Sequence, residues 1–268
     1  MSIFGNCLTA GNVGTGSSFA TVRMYGPAGF SLIISKGNFS TQFTYGKLNQ
    51  SDSKYYYYAF VPQNEFDSSQ SFSITGTNTD SNIVLNNNAF YINEIKEFEY
   101  KIHYRKYIFK DGITDSLIGG FTALKSISSQ TDTIVISNGN LIYTEKDNDY
   151  GGIRFNNPIN LLDYKYGNIF FEFDDIESWQ DSTFKAGIYV SSSLQTDPSN
   201  LQYDTRDYIS YEGNTSNGHI VNWSGYQGSG ISYVYDSTPY YVYILCASGK
   251  NSGIPNGIIN IKTISLIT

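Results

Sequence analysis

The stretch "SKYYYYAFVP" (residues 53–62) decides how the first part of the chain is expected to fold. Tyrosine, phenylalanine and valine favour strands, and successive strand side chains point to opposite faces. The alternation predicts two faces, one with Tyr55, Tyr57 and Ala59 and the other with Tyr56, Tyr58 and Phe60. Pro62 ends the strand because it has no N–H to donate. The second face is expected to lie against a neighbouring chain or water, and the alternative is an exposed aromatic row that stacks on sugar rings.

The composition indicates a β-rich, turn-rich protein. Aromatic residues make up 16% of the 268 residues, with 24 Tyr and 17 Phe, whereas charged residues make up only 15%. A typical globular chain is about 25% charged. Aromatic residues suit pleated surfaces and glycine suits tight turns, so the composition predicts an all-β fold, and the length suits two domains.

Several function classes are excluded by charge and hydrophobic pattern. The net charge is −7 and "KIHYRK" (residues 101–106) is too short for a basic stripe, so no nucleic-acid partner is expected. No apolar run approaches the ~20 residues of a membrane-spanning helix. The start "MSIFGNCLTAGN" has no signal-peptide pattern, which predicts synthesis in a cytoplasm without secretion. Cys7 and Cys246 make no disulfide framework.

Strand signals recur along the chain, separated by Gly, Pro, Asn and Asp. Six are predicted in the first part: residues 19–25, 30–36, 39–45, 54–61, 71–77 and 89–104. Longer apolar segments follow, such as "NIFFEFDDIES" and "YYVYILCAS". This change predicts an N-terminal arm at residues 1–16, a first domain at residues 17–103 and a second at residues 104–268.

The order of these segments resembles a known class of proteins. "TVRMYGPAGFSLIISKGNFSTQFTYG", "YYYYAFVP" and "SFSITGTNTDSNIVLNNNAFYINEIKEFEYKI" together resemble the Ig-like or prealbumin-like β-sandwich module of phage and prophage structural proteins. "YKIHYRKYIFKDGITDSLIGGFTA" is similar to the passage from such modules into a C-terminal sandwich, with Phe121 where that pattern has Trp. The resemblance implies two tandem antiparallel β-sandwiches, Ig-like and then jelly-roll-like, the second resembling carbohydrate-binding modules.

The resemblance also implies a function. It predicts a non-enzymatic virion structural protein of a tail, baseplate or capsid, which assembles with other virion proteins as a homo-oligomer or symmetric array and contacts host surface polysaccharide. Repetition on a particle would supply avidity to weak single contacts. The alternatives are a free-standing carbohydrate-binding module and a jelly-roll β-glucan hydrolase.

The hydrolase alternative depends on "FEFDDIES", in which Glu172, Asp174 and Glu177 follow the pattern E-x-D-x-x-E. The pattern resembles the active-site strand of laminarinase-type hydrolases, which implies Glu172 as nucleophile, Asp174 as its assistant and Glu177 as general acid. The same letters describe a core strand with Phe171 and Phe173 inward and the carboxylates outward. We expect the core strand and no catalytic residue.

Metal and cofactor motifs are weak. His103 and His219 have no partner at zinc-ligand spacing. "GNVGTGSS" (residues 11–18) precedes a strand where a phosphate loop needs a helix. "DNDYGG" (residues 147–152) is expected to be a turn, so no metal or cofactor is predicted.

Glycan-binding candidates lie in the second domain, where both tryptophans occur. Trp179 follows the acidic turn, and Trp223 and Tyr226 lie in "HIVNWSGYQGSG". Loops at the end of a sandwich often carry recognition residues. Aromatic rings beside amides suit the C–H faces and hydroxyls of sugars, so these three residues are predicted to contact glycan.

Overall fold

The prediction of an all-β fold is confirmed. A computed structural model describes residues 18–52, 54–86, 88–124, 133–145, 151–161, 164, 166–173, 184–196, 208–211, 219–224, 238–248 and 257–268. Within these residues the regular elements are strands and two 3₁₀ turns. None of the helical segments described is long and apolar enough to cross a membrane.

The chain divides into two compact units, Met1–Tyr104 and Arg105–Thr268. The first unit contains nine described strands. They are β1 (Phe19–Gly26), β2 (Phe30–Lys36), β3 (Phe39–Gln42), β4 (Thr44–Asn49), β5 (Lys54–Pro62), β6 (Asp67–Asn78), β7 (Ile83–Leu85), β8 (Asn88–Ile92) and β9 (Glu97–Lys101).

Eight of these nine strands form two four-stranded sheets. The first sheet has the order β4-β5-β1-β9, and the second sheet has the order β3-β2-β6-β8. The two sheets pack face to face, since Phe30 of β2 and Tyr57 of β5 meet edge to face at 6.4 Å between ring centroids. Within this sandwich the alternation of each strand decides which side chains enter the core.

The alternation of β5 follows the sequence prediction. Tyr57, Ala59 and Val61 are at most 2% exposed and lie in the core. Tyr56, Tyr58 and Phe60 therefore lie on the outer face of the first sheet. In β1 the inward residues Ala20, Val22 and Met24 are fully buried, which leaves Phe19, Arg23 and Tyr25 outward.

Two details of the first unit differ from the prediction. The segment predicted as one strand at residues 39–45 is split into β3 and β4. The split lies at the buried Phe43, where the chain passes from the second sheet into the first. The sandwich is also not wholly antiparallel, since β1 pairs with β9 in parallel. A hairpin cannot join parallel strands. Strand β9 instead reaches β1 from β8 of the second sheet through residues 93–96.

The buried hydroxyl of Tyr57 joins the two sheets of this unit. It donates to the carbonyl of Pro27 at 2.7 Å and accepts the backbone N–H of Phe30 at 3.1 Å. Pro27 lies in the turn before β2, and Gly29 in that turn has a φ of +88°, which glycine adopts without strain. The buried hydroxyl of Tyr57 thus finds both of its hydrogen-bond partners in the stretch "YGPAGF", whose Pro and Gly predict a turn.

A second polar anchor lies at the start of β6. The side chain of Asp67 accepts the Ser69 hydroxyl and backbone N–H, both at 2.7 Å, and the Gln70 N–H at 3.1 Å. Lys36 Nζ lies 3.7 Å from Asp67 Oδ2 and donates to the carbonyl of Glu65 at 2.5 Å. These hydrogen bonds, led by that of the Ser69 hydroxyl, lower the pKa of Asp67 to about 2.

The second unit contains thirteen described strands, of which the first begins at the last residue of the first unit. They are β10 (Tyr104–Lys110), β11 (Ile113–Thr114), β12 (Phe121–Ala123), β13 (Thr133–Ser137), β14 (Asn140–Glu145), β15 (Gly151–Phe155), β16 (Ile159–Asn160), β17 (Tyr166–Phe173), β18 (Phe184–Ser191), β19 (Tyr208–Tyr211), β20 (His219–Ser224), β21 (Pro239–Ser248) and β22 (Gly257–Ile267).

Two sheets also form the second unit. One is arranged around β22, which pairs with β17 on one side and with β10 and β14 on the other. The other has the order β12-β15-β21-β18-β19. Phe109 of the former packs edge to face on Phe121 of the latter at 5.9 Å between centroids. The second unit is therefore also built from facing sheets.

The tyrosine hydroxyl inside the first sandwich generates a stability prediction. Tyr57→Phe keeps the ring and leaves the Phe30 N–H and the Pro27 carbonyl without their partner. Removing one partner of a buried hydrogen bond costs about 1–3 kcal/mol. We expect the free energy of unfolding, measured by urea denaturation, to fall by that amount. The control is Tyr91→Phe, because Tyr91 is 52% exposed. Equal stability of the two variants would contradict the anchoring role of Tyr57.

The depressed pKa of Asp67 generates a pH prediction. Its stabilisation is fully present above the ordinary carboxyl pKa of about 4 and is lost as the pH falls toward 2. We expect the Tm of the wild type to fall between pH 4 and 2 more steeply than that of Asp67→Asn, which keeps the side-chain oxygen and removes the charge. Parallel Tm profiles for the two proteins would show that Asp67 does not contribute.

Candidate ligand-binding face

Five aromatic side chains share the outer face of the first sheet. They are Phe19 and Tyr25 of β1 and Tyr56, Tyr58 and Phe60 of β5, and together they are called the outer aromatic face below. The antiparallel register places Tyr25 opposite Tyr56, and Phe60 opposite Thr21. Phe19 lies one diagonal step from Phe60, a spacing that aromatic side chains bridge. The stretch that opens the sequence analysis thus forms a row along the middle of a sheet.

Exposure increases along this row toward the Pro62 end of β5. Tyr56 is only 8% exposed, whereas Phe60 is 55% and Phe19 is 46% exposed. Tyr58 is half-buried between them. The end of the face at Phe19, Tyr58 and Phe60 is therefore accessible to a ligand.

A bulge in β4 packs against the buried end of the face. The pairing of β4 with β5 shifts register between Tyr45 and Leu48. At Gly46 a Cβ atom would lie 1.5 Å from the carbonyl oxygen of Tyr56 and 3.1 Å from Tyr58 Cε2. Only glycine permits this approach, so the bulge brings the β4 backbone against the tyrosines.

Arg23 lies in the centre of the outer face and is held by two carboxylates of β9. Its guanidinium forms an ion pair and hydrogen bond with Glu99, and its Nε lies 3.0 Å from Glu97 Oε1. Its Cζ also lies 5.1 Å from the ring centroid of Tyr56, within cation–π range. Burial lowers the pKa of Arg23, but the Glu99 hydrogen bond and the charges of Glu97 and Glu99 outweigh burial and raise it.

A second ionic set covers the rings at the other end of the row. Lys54 Nζ lies 4.4 Å from the ring centroid of Tyr25, and Tyr25 and Tyr56 are tilted neighbours at 6.0 Å. The Tyr56 hydroxyl donates to Asp52 Oδ2 at 2.5 Å. This hydrogen bond is the main cause that raises the pKa of Tyr56 to about 12 and lowers the pKa of Asp52.

The arrangement combines bare rings with fixed polar groups. Arg23 and Lys54 occupy the faces of Tyr56 and Tyr25, whereas Phe19 and Phe60 remain exposed. Aromatic rings pack against the apolar C–H groups of a ligand, and carboxylates beside them accept hydrogen bonds from its hydroxyl groups. Together they make a binding surface. Such a surface can hold a ligand by contact.

Of the three residues predicted to bind glycan, the structure describes only Trp223. Trp223 lies in β20, where the register places it opposite Gly167 of β17. Trp179 and Tyr226 lie outside the described residues. Their contact with glycan stays a prediction.

The acidic pattern is described in part. Glu172 lies in β17 opposite Asn260 of β22. In the same register Phe171 lies opposite Ile261 and Phe173 opposite Ile259. Asp174 and Glu177 lie outside the described residues, so the catalytic interpretation also stays a prediction.

No metal site is found in the part of the chain that the structure describes. Within it, no group of three His, Cys, Asp or Glu side chains is placed to hold an ion. His103 lies at the end of the first unit, where its carbonyl accepts the Asn86 N–H at 2.8 Å. His219 begins β20.

Sequence reasoning identified the tyrosine row and missed its ionic partners. The segment "KEFEYK" (residues 96–101) alternates charged and aromatic residues, so its own pattern predicts Glu97 and Glu99 on one face. Their neighbour Arg23 is 74 or more positions away in the chain. The parallel pairing of β1 with β9 brings them together, and no local pattern predicts it.

The contact between Tyr56 and Asp52 generates a titration prediction. Asp52→Asn removes the charge that accepts the tyrosine proton, so we expect the pKa of Tyr56 to fall from about 12 toward the ordinary value of 10. NMR of protein labelled at the tyrosine ring carbons measures it, with Tyr56→Phe to assign the signal. An unchanged Tyr56 titration in Asp52→Asn would contradict the contact.

Comparisons with known proteins identify no family. No family model matches the chain. No curated protein matches it. The virion assignment therefore stays a prediction that rests on the resemblance of sequence segments.

Solved structures show remote likeness. A xylan-binding module is 12% identical, covers 58% of this chain and 94% of its own, and has a TM-score of 0.39. A structure of carbohydrate-binding modules from the β-sandwich superfamily is 12% identical, covers 91% and 97%, and has a TM-score of 0.37. The Endo-D glycoside hydrolase domain from Streptococcus pneumoniae R6 is 9% identical, covers 55% and 21%, and has a TM-score of 0.31. These TM-scores are too low to assign a function to this chain.

Proposed function

We propose that this protein is a non-enzymatic glycan-binding protein whose outer aromatic face holds saccharide. The observation that carries the proposal is the accessible group of Phe19, Tyr58 and Phe60 on one sheet face beside fixed carboxylates. Phe19 and Phe60 each leave about half of their surface in water. Exposed aromatic groups rimmed by polar residues mark interaction sites.

Saccharide matches this surface better than a wholly apolar partner does. Its ring C–H groups stack on aromatic faces, and its hydroxyls donate to carboxylates. The apolar end of the face supplies the first contact, and Glu97 and Glu99 at its side supply the second. Binding sites of this composition gain contact area from rings and orientation from a few polar groups.

The sheet limits the conformational entropy that is lost when a ligand binds. The row runs along β5, a strand with a neighbour on each side, and the backbone at Tyr56 is packed by the bulge at Gly46. Tyr58 and Phe60 therefore lose little backbone freedom when a ligand binds, which favours affinity. The predicted virion location, the symmetric assembly and the Trp179, Trp223 and Tyr226 contacts would add avidity, and each stays a prediction.

The test is binding to a panel of soluble polysaccharides by affinity electrophoresis, with calorimetry on the best one. Phe60→Ala removes the most exposed aromatic anchor of the face, which is expected to cost about 2 kcal/mol, or roughly a 30-fold weaker Kd. The matched control is Tyr91→Ala, because Tyr91 is equally exposed on the second sheet.

Three outcomes separate the alternatives. Weakened binding of Phe60→Ala with wild-type binding of Tyr91→Ala supports the proposal. Wild-type affinity of Phe60→Ala together with loss of binding in Trp223→Ala would move the site to the second unit. Release of reducing sugar that Glu172→Gln abolishes would replace the proposal with hydrolysis.

A further inference from the structure

We propose that the outer aromatic face selects uncharged saccharide chains, and that Glu97 and Glu99 impose this selection by holding Arg23. The inference rests on the proposed function and adds the chemical class of the ligand. It concerns residues that no sequence motif marks.

Arg23 is the cation best placed to bind an acidic sugar, because it lies in register between Tyr58 of β5 and Glu99 of β9. Its guanidinium is already paired with Glu99 and adjacent to Glu97. The contact with the Tyr56 ring covers one side of the guanidinium. A ligand carboxylate would have to displace these partners to reach it.

The other cations of the face are also engaged. Lys54 Nζ lies 4.4 Å from the ring centroid of Tyr25, and its charge helps to lower the pKa of Asp52, after the larger effect of the Tyr56 hydrogen bond. Lys101 lies opposite Tyr25 in the register of β9 and has partners of its own. The described side chains of this face thus balance three cations against three anions: Arg23, Lys54 and Lys101 against Asp52, Glu97 and Glu99.

The carboxylates of Glu97 and Glu99 are more exposed to solvent than the guanidinium that they hold. The side chains of Glu97 and Glu99 are 50% and 39% exposed, whereas that of Arg23 is 32% exposed. An ionised carboxylate accepts up to about four hydrogen bonds, so each keeps capacity beyond Arg23. Neutral hydroxyls therefore find acceptors here, and an anionic sugar meets like charge in a protein of net charge −7.

The experiment uses the full chain and two polysaccharides with one backbone: hydroxyethylcellulose as the neutral probe and carboxymethylcellulose as the anionic probe. A second pair, methyl-esterified pectin and polygalacturonate, repeats the comparison on a different sugar. Affinity electrophoresis at low and high salt measures binding, because salt screens exposed charges.

The decisive variant carries Glu97→Gln and Glu99→Gln, which frees Arg23 and keeps side-chain size. We expect the wild type to bind the neutral member of a pair at least about 10-fold more tightly than the anionic member, a difference of about 1.4 kcal/mol. The double variant is expected to gain at least about fivefold for the anionic member at low salt and to lose this gain at high salt.

The control carries Asp80→Asn and Asp111→Asn, which changes the net charge equally at exposed positions outside the face. The single variants Glu97→Gln and Glu99→Gln replace the double variant if its Tm shows that it does not fold.

Each outcome decides between the two proposals. Wild-type preference for the anionic member, or equal gains in the double variant and the control, overturns the inference and leaves glycan binding standing. Absence of binding to all four probes and to the panel overturns both. Neutral preference with a gain confined to the Glu97 and Glu99 variants supports both.

Discussion

The hydroxyl of Tyr57 is the contact on which the arrangement of the first unit depends. It donates to Pro27 and accepts from Phe30, so it ties the middle of β5 to the turn that leads into the second sheet. A strand of four successive tyrosines has two ways to place its side chains, and a shift by one residue would exchange its faces. The buried hydroxyl has partners in one of these registers, and that register directs Tyr56, Tyr58 and Phe60 outward.

The charge and the exposed rings of the outer aromatic face depend on the ionic side chains beside it, and not on its tyrosines alone. Arg23 and Lys54 cover two of the rings, and the carboxylates of β9 hold Arg23. Exposed ion pairs contribute little to stability, with a median of about 0–1 kcal/mol. In the proposed function their effect is on recognition, because they decide which rings are bare and which charges a ligand meets.

Several features of the fold were predictable from sequence because they are local. Strand β2 has the predicted bounds, and the alternation of β5 follows from a period of two residues. The turn glycines Gly29 and Gly37 have the positive φ that their sequence context indicates. The acidic pattern around Glu172 and the aromatic segment around Trp223 show the limit of this reasoning, since a motif acquires a role only from what surrounds it.

The sequence by itself determined that this is an all-β protein and that the row of Tyr56, Tyr58 and Phe60 shares one side of a strand. Both follow from residue preference and strand geometry, which act over a few residues. Only the tertiary structure decided that Phe60 stays exposed whereas Tyr56 is covered, that Phe43 marks a change of sheet and that Arg23 meets Glu97 and Glu99. The last of these depends on pairing between strands β1 and β9, whose paired residues are more than 70 positions apart. Such distant residues meet only as the sandwich forms, and no local sequence pattern marks them.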